Sequence, residues 1–338
     1  MVIDNNFYMS QALNEAWQYQ VATFPNPAVG AVVVSACGKI VAIEAHHQAG
    51  MPHAEVLALQ KAYALLTNDS TILALKDSAA IHKFLLENHN GCFVGCSIYS
   101  TLEPCSHEGR TPSCANLLAG LGISEVYIGV CDTNNVASGG GLVLKDAAIR
   151  VEYGLLEQKC KDLLVPFYAY LKKKQFVFFK VASRLDGGVD GGTVSSESSR
   201  KFVHILRDVC DLLVVGGNTV RIDRPTLDAR LCGGKAPDVL IYSKKKEFDT
   251  TIPLFNVTQR TVQVDNTFDL IKNYRCIMIE GGGNMLEQVR DIVDCLLVFI
   301  APSMKKHTSG LKGIDANFKL LHTHRVEDDV VAWYAKKS

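Results

Sequence analysis

Strand-like apolar runs alternate with helical patterns along this chain of 338 residues, and the alternation occurs in two separate series. The first series contains a hairpin-like run, GAVVVSACGKIVAIEAH, then a helical pattern that opens at His53, and later the strand-like run SEVYIGVCD. The second series opens at FVFFKVAS and includes RCIMIEGGGNMLEQVRDIV, which indicates a strand, a glycine loop and a helix. Such alternation predicts an α/β fold whose sheets are covered by helices on both faces.

A helical pattern over residues 155–174 lies between the two series and ends in three consecutive lysines, which is typical of a solvated helix end. The chain is long enough for two domains of ordinary size. We therefore predict a first domain over residues 1–154, a linker helix over 155–174 and a second domain over 175–338.

Charge and cysteine content exclude several classes of protein. Lysine plus arginine and aspartate plus glutamate each number 35, and a zero net charge argues against a nucleic-acid binder held by phosphate contacts. The eleven cysteines are an odd number, which is poor support for a disulfide framework. We find no basic leader followed by an apolar run and no apolar stretch long enough to span a bilayer. We expect a cytoplasmic protein with reduced thiols and no membrane partner, in which clustered cysteines are candidate metal ligands.

Two short motifs of the first series together resemble a catalytic zinc site. His53 and Glu55 open a helix in PHAEVLALQ, and Cys105 and Cys114 lie in EPCSHEGRTPSC. One imidazole and two thiolates would leave the fourth zinc position open for water, as in catalytic sites, and Glu55 could carry a proton from that water to a leaving amine. The structural alternative is an acidic residue that meets the helix dipole beside two unrelated cysteines. The combination of His-x-Glu with Pro-Cys, typical of zinc deaminases, favours the catalytic interpretation.

His107 and Arg110 lie between the two cysteines. A fourth protein ligand would close the position that a catalytic zinc keeps open. We therefore predict that His107 and Arg110 face the substrate, and the alternative is that both are solvated loop residues.

The runs FPNPAVGAVVV, HHQAGMPHAEVLAL and STLEPCSHEGRTPSC resemble the bifunctional deaminase–reductase of riboflavin biosynthesis, the RibD family. The resemblance implies a cytidine-deaminase-like α/β/α sandwich at the N-terminus. It also implies zinc-dependent hydrolytic deamination of 2,5-diamino-6-ribosylamino-4(3H)-pyrimidinone 5′-phosphate. By matching position, the resemblance implies that His53, Cys105 and Cys114 are the zinc ligands and that Glu55 is the proton carrier. It also implies that Asn26 and His46 face the pyrimidine.

The second series contains two strand-to-glycine junctions, VVGGNTV and Gly281–Gly283. Glycines between a strand and a helix let backbone amides approach a phosphate, although a plain turn is the alternative because the glycines lack dinucleotide-fingerprint spacing. Four arginines lie near the first junction: Arg207, Arg221, Arg224 and Arg230. As a cluster they could bind a phosphate of the substrate or cofactor, and the alternative is that each is a surface residue.

The resemblance to RibD continues in KVASRLDG, HILRDVCDLLVVGGNTVRIDRPTLDAR and IEGGGNML, which look like its reductase domain, related in fold to dihydrofolate reductase. It implies NADPH-dependent reduction of the ribosyl group to ribityl. Matching positions place two residues around the reacting ribose, Lys180 and Glu280, and two at the substrate phosphate, Arg207 and Arg230. The matching NADPH contacts are Ala182, Thr219, Asp223, Gly281, Gly282 and Gly283.

The second series departs from the family pattern at three places. Arg184 stands where a serine is usual, residues 187–196 are shortened and lack a tryptophan beside the cofactor, and Arg224 replaces an acidic residue. These departures keep a second hypothesis open, a working deaminase with a degenerate reductase domain. A third hypothesis, from another class, is a non-catalytic binding module stabilised by zinc.

The first series contains one unusual segment, residues 67–91, where the family has a short connection. We interpret it as a surface insertion and expect its histidines, His82 and His89, to face solvent. We expect the whole chain to act on a small pyrimidine ribosyl phosphate as a homo-oligomer.

Overall fold

The computed structural model describes residues 3–107, 111–133, 138–311 and 316–337, and it divides into two compact units, Met1–Leu164 and Val165–Ser338. Within the described residues each unit has its own β-sheet with helices packed against it. The α/β fold predicted from the alternating patterns is therefore confirmed in both units. None of the helices in these ranges has the length and apolar character needed to cross a membrane.

The first unit is built on a five-stranded sheet of order β2-β1-β3-β4-β5, in which β1 runs antiparallel to β2 and β3, and β3, β4 and β5 are parallel. All five residues of β1 are buried, because α1 and α2 pack against it. In chain order the elements are α1 (Asn5–Trp17), β1 (Gly30–Val34), β2 (Ile40–Ala45), α2 (Ala54–Thr67), a 3-10 turn (Thr71–Ala74), α3 (Ser78–Asn88), β3 (Ser97–Leu102), α4 (Cys114–Gly120), β4 (Glu125–Val130), α5 (Gly140–Asp146), β5 (Arg150–Tyr153) and α6 (Glu157–Leu163).

The second unit has an eight-stranded sheet of order β12-β13-β11-β6-β10-β7-β8-β9, parallel from β11 to β9, with β13 and β12 antiparallel at one edge. Its central strand β6 begins with four consecutive buried residues, as expected for a parallel strand covered on both faces. In chain order the elements are α7 (Val165–Lys173), β6 (Phe176–Arg184), α8 (Glu197–Val209), β7 (Leu212–Gly216), α9 (Gly217–Asp223), a 3-10 turn (Arg230–Cys232), β8 (Asp238–Tyr242), a 3-10 turn (Pro253–Asn256), β9 (Val262–Asp265), a 3-10 turn (Asp269–Asn273), β10 (Cys276–Glu280), α10 (Gly283–Val289), β11 (Cys295–Ala301), β12 (Phe318–Val326) and β13 (Asp329–Lys336).

The segment predicted as one linker helix over residues 155–174 forms two helices instead. Helix α6 ends at Leu163 and α7 begins at Val165, so the division between the units falls inside the predicted helix. Pro166 explains the break, because proline has no N–H for the helical ladder and is tolerated only in the first turn of a helix.

The unusual segment at residues 67–91 carries helix α3, and one expectation for it was wrong. His82 is buried rather than solvent-facing, because α3 packs against α2 and α4 and turns Ile81, His82 and Leu85 inward. His89 caps the end of α3 and is only partly exposed.

The contact between α1 and β1 leaves no room for a side chain at Gly30. A Cβ there would lie 1.9 Å from the carbonyl oxygen of Ala12, which is backbone and cannot move away cheaply. We expect Gly30→Ala to lower the free energy of unfolding by about 1–3 kcal/mol, the range for overpacked cores. Calorimetry of the full chain measures the effect as a lower melting temperature.

Gly120→Ala is the matched control for this substitution. A Cβ at Gly120 would meet only the end of the Leu86 side chain, which is exposed and flexible. Equal melting temperatures for the two variants would contradict the packing argument.

Candidate functional site

Three metal-binding side chains converge in the first unit. The Nδ1 atom of His53 lies 3.7 Å from the Sγ of Cys105 and 3.4 Å from the Sγ of Cys114, and all three donor atoms lie within 4.8 Å of one another. Tetrahedral zinc with Zn–S near 2.3 Å and Zn–N near 2.0 Å requires ligand atoms about 3.5 Å apart. The donor types and their separations therefore fit zinc.

Local structure explains why these side chains meet. His53 precedes α2 with an extended backbone, and Cys114 is the first residue of α4. Ser113 caps α4 by accepting a hydrogen bond from the Asn116 N–H, and its hydroxyl donates to the carbonyl of Cys105 at 2.9 Å. The loop that carries Cys105 is thus fastened to the helix that carries Cys114. The hydrogen bond with Cys114 lowers the pKa of the Cys105 thiol, although burial opposes the shift.

Glu55 lies in the first turn of α2 beside the three donors but is not one of them. Its side chain is buried, and burial raises the pKa of its carboxyl group. The Ser100 hydroxyl donates to the carbonyl of Leu102 at 2.8 Å and lies 3.4 Å from Glu55 Oε1. A buried carboxyl group next to a metal-binding set is well placed for proton transfer.

His46 lies against His53 and is hydrogen-bonded to Asn26, and the predicted contact of Asn26 and His46 with the pyrimidine remains a prediction. The His46 Nδ1 donates to the carbonyl of Pro52 at 3.0 Å, so its Nε2 accepts from the Asn26 amide at 3.1 Å. The rings of His46 and His53 meet edge to face with centroids 5.5 Å apart. Burial lowers the pKa of His46 to about 4, so the imidazole is neutral at physiological pH.

The loop between the two cysteines is described only in part. His107 is exposed, and Arg110 lies outside the described residues. The predicted contact of each with substrate therefore remains a prediction.

Sequence reasoning missed Glu103, which supports the metal-binding loop. Its Oε1 accepts the backbone N–H of Gly141 at 3.0 Å and its Oε2 that of Asp132 at 3.1 Å, so one buried carboxylate fixes two loops beside Cys105. Glu103 lies within the quoted Glu-Pro-Cys motif, but nothing in the sequence separates a buried anchor from an exposed acid.

In the second unit, Lys180 and Glu280 lie opposite each other on the adjacent parallel strands β6 and β10. Arg207 of α8 forms a two-pronged ion pair with Glu280, with its Nη2 at 2.9 Å and 3.1 Å from the two carboxylate oxygens and its Nε at 3.1 Å from Oε1. The Lys180 ammonium lies 5.7 Å from the centre of the Phe299 ring.

Burial and neighbouring charges shift the pKa values of this group. Burial lowers the pKa of Lys180 more than the Glu280 carboxylate raises it. Burial alone would raise the pKa of Glu280, but the charges of Arg207 and Lys180 outweigh it and hold that pKa below its ordinary value. Glu280 is therefore a carboxylate at neutral pH, and Lys180 is a more ready proton donor than an exposed lysine.

The two arginines predicted at the substrate phosphate meet at Asp228. Arg207 Nη1 donates to the Asp228 carbonyl at 3.4 Å, and Arg230 Nη1 donates to its carboxylate at 2.6 Å. Arg230 is largely exposed, whereas Arg207 is buried against Glu280. The sequence did not predict that Arg207 has an acidic partner.

Most of the residues predicted to contact NADPH lie at or just after the carboxyl ends of the adjacent parallel strands β6, β10 and β7, where α/β sheets bind ligands, whereas Asp223 is the last residue of α9. A Cβ at Gly281 would lie 2.6 Å from Met285, and one at Gly282 would lie 3.1 Å from Val189, so the surrounding side chains leave little room for a side chain at either position. Such a glycine turn fits a cofactor phosphate. The positions are Ala182 on β6, Thr219 and Asp223 on α9, and Gly281, Gly282 and Gly283 between β10 and α10.

Two of the departures from the family pattern have structural roles. Arg184 is buried and donates to the carbonyl of Asp190 at 2.5 Å, which fastens the shortened segment 187–196 to the end of β6. Arg224 ends α9 with a left-handed backbone and pairs with Asp249 at 2.7 Å. Both guanidinium groups thus hold loops of the second unit.

Comparison with known proteins matches both units. Residues 3–130 match the family of the cytidine and deoxycytidylate deaminase zinc-binding region, and residues 175–332 match the RibD C-terminal domain. The riboflavin biosynthesis protein RibD of Aquifex aeolicus is 31% identical over 89% of this chain and 88% of its own length. The RibD of Corynebacterium ammoniagenes is 30% identical over 90% of each chain.

A solved structure from Thermotoga maritima has a TM-score of 0.67 at 25% identity and covers 98% of both chains. It is described as a diaminohydroxyphosphoribosylaminopyrimidine deaminase/5-amino-6-(5-phosphoribosylamino)uracil reductase.

The fold and these matches define a two-domain enzyme, with a zinc-binding deaminase domain followed by an NADPH-using reductase domain of dihydrofolate-reductase-like fold. The chain belongs to the RibD family of riboflavin biosynthesis proteins. The predicted family, both fold classes and both cofactors are thereby confirmed.

The metal-binding set predicts the effect of removing one ligand. Cys114→Ala leaves two donors, and we expect the purified full chain to lose most of its zinc, against about one ion per wild-type chain. Elemental analysis by mass spectrometry measures the content. Cys96→Ala is the control, because Cys96 is also buried but lies outside the set. Full zinc content in Cys114→Ala would argue against these ligands.

Proposed function

We propose that this chain carries out two successive reactions on one substrate, 2,5-diamino-6-ribosylamino-4(3H)-pyrimidinone 5′-phosphate. The first unit removes the exocyclic amine by hydrolysis, and the second reduces the ribosyl group of the product to ribityl. The observation that carries the proposal is the convergence of His53, Cys105 and Cys114 beside the buried carboxyl group of Glu55. The choice of substrate is supported by the Thermotoga maritima relative, which is described as a diaminohydroxyphosphoribosylaminopyrimidine deaminase.

In the deamination, a carbon–nitrogen bond breaks, the oxygen of water becomes the carbonyl oxygen, and ammonia leaves. Zinc bound by His53, Cys105 and Cys114 supplies the Lewis acidity that makes water nucleophilic at neutral pH. Glu55 takes a proton from the attacking water and gives it to the leaving amine. Asn26 and His46 hold the pyrimidine, and His46 keeps the Asn26 amide in one orientation.

In the reduction, the bond between C1′ and the ring oxygen of the ribose breaks, C1′ takes a hydride and the ring oxygen takes a proton. NADPH supplies the hydride when it is bound at the glycine turn and α9. Lys180 donates the proton, because its ammonium is the buried acid opposite Glu280. Glu280 orients Lys180 and the sugar, while Arg207 and Arg230 hold the 5′-phosphate.

We also propose that the enzyme works in the cytoplasm and as a homo-oligomer. All eleven cysteines are free, which supports a reducing compartment. Light scattering of the purified chain tests the oligomeric state, and a monomer at micromolar concentration would contradict it.

Glu55→Gln tests the deamination step. The amide cannot accept a proton at neutral pH, so we expect ammonia release to fall by about 10²–10⁴-fold, the usual contribution of a general acid–base group, with zinc retained. Glu125→Gln is the control, because Glu125 pairs with Arg150 at the surface. Glu55 has another role if the variant keeps most of its turnover.

Lys180→Met tests the reduction step in the full chain. We expect oxidation of NADPH by the deaminated substrate to fall about 100-fold or more. NADPH binding, followed by its fluorescence, and ammonia release should stay unchanged. Lys235→Met, a change at an exposed lysine before β8, is the control. If the wild-type chain neither binds millimolar NADPH nor oxidises it, the deaminase with a degenerate reductase replaces the bifunctional proposal.

A further inference from the structure

Arg260 lies in the loop that precedes β9 and binds three backbone carbonyls of the second unit. Its Nη1 donates to Leu227 at 2.6 Å, and its Nη2 donates to Thr226 at 2.7 Å and to Leu254 at 2.5 Å. The guanidinium is a rigid planar fork, so these contacts fix the relative positions of the carbonyls. Arg260 therefore acts as a clamp on the segment 226–230.

The clamped segment holds an unfavourable backbone conformation. Leu227 has φ +55°, in the left-handed region that residues with a side chain rarely adopt. Such a conformation persists only where its surroundings enforce it. The Leu227 side chain is buried, and its carbonyl is the one that Arg260 Nη1 holds. The Arg260 fork and the buried side chain together impose the bend.

The bend sets the position of Asp228, the next residue along the chain. The Asp228 carbonyl accepts from Arg207, and its carboxylate accepts from Arg230. His204 supports the same turn, since its Nδ1 accepts the N–H of Leu231 at 3.4 Å. The placement of both arginines relative to each other thus depends on the backbone that Arg260 holds.

Arg260 is costly to keep if its only role is packing. Burial lowers the pKa of its guanidinium to about 10, so it is still charged at neutral pH. Its Nε is buried and has no hydrogen-bond partner among the residues that the structure describes, which is unfavourable. Arg207 lies near enough to oppose its charge. An apolar side chain would avoid the cost of the buried charge but would leave the three carbonyls without these donors, so the fork is the feature that holds them together.

We propose that Arg260 is a positioning residue for the reductase reaction, which fixes the bend at Leu227 so that Arg207 and Arg230 together receive the substrate phosphate. This inference rests on the proposed reduction of a ribosyl 5′-phosphate by the second unit. Arg260 does not touch the substrate and acts through the segment 226–230.

The test uses the full chain with three variants, Arg260→Met, Arg260→Lys and Arg275→Met. Arg275 is the matched control, because it pairs with Asp211 at the opposite end of the parallel strands and is largely exposed. Each protein is assayed for KM and kcat with the deaminated substrate and with its dephosphorylated counterpart. NADPH binding and ammonia release are measured in parallel.

We expect Arg260→Met to raise KM for the phosphorylated substrate on the order of tenfold, because small misplacements of binding groups have effects of this size or larger. The KM for the dephosphorylated compound, NADPH binding and ammonia release should be unchanged. Arg260→Lys keeps the charge without the fork and should fall between Arg260→Met and wild type, while Arg275→Met should match wild type.

A folded Arg260→Met with the wild-type preference for the phosphorylated substrate overturns the inference, and so does an equal loss for both substrates. If Arg260→Met does not fold, Arg260→Lys is judged by the same two criteria: an unchanged preference for the phosphorylated substrate, or an equal loss for both substrates, overturns the inference. Failure of the proposed function is distinct, because the wild-type chain itself would then reduce neither compound.

Discussion

A carboxylate shielded from water keeps its charge at little cost only where several donors hold it, and one such carboxylate anchors each unit. In the first unit, Glu103 binds the backbone amides of Asp132 and Gly141, so the loop that bears Cys105 and the start of α5 share one anchor. In the second unit, Glu280 is paired by Arg207 at the end of β10. Glu103 follows the last residue of β3 and Glu280 is the last residue of β10, so each carboxylate lies at the carboxyl end of a parallel strand. The metal-binding set of the first unit, and Lys180 and Arg207 in the second, lie close to these fixed points.

The sequence was a good guide where chemistry depends on residues close along the chain. The spacing of His53 and Glu55 predicted a ligand and a neighbouring acid, since a helix start fixes the geometry of residues two apart. Alternating apolar patterns predicted the α/β fold, because burial imposes a period on each element. Strand ends were also recognisable, and the glycines at Gly281–Gly283 lie at the expected junction.

Contacts between distant segments were not predictable from the sequence. Arg207 and Glu280 are 73 residues apart, and neither neighbourhood shows that one will pair with the other. Arg260 belongs to no sequence motif. Its three partners are backbone carbonyls, which any residue type can supply, so the sequence carries no sign of the contact. His82 was misplaced because its inward orientation depends on the packing of α3 against α2 and α4, which the local sequence does not reveal. The prediction of one linker helix over residues 155–174 was wrong for a local reason, because it overlooked the helix break that Pro166 causes.

The neutral ring of His46 has a consequence for the side chain of Asn26, because it fixes which way the amide points. Its Nδ1 hydrogen is committed to Pro52, so the Asn26 amide must turn its NH₂ group towards the ring and its oxygen away from it. Burial lowers the pKa of the imidazole to about 4, so near neutral pH the ring is uncharged and keeps this hydrogen-bonding arrangement. A ligand that reaches Asn26 therefore meets a fixed acceptor instead of a rotating amide. The direction of that acceptor is thus a property of the folded chain itself.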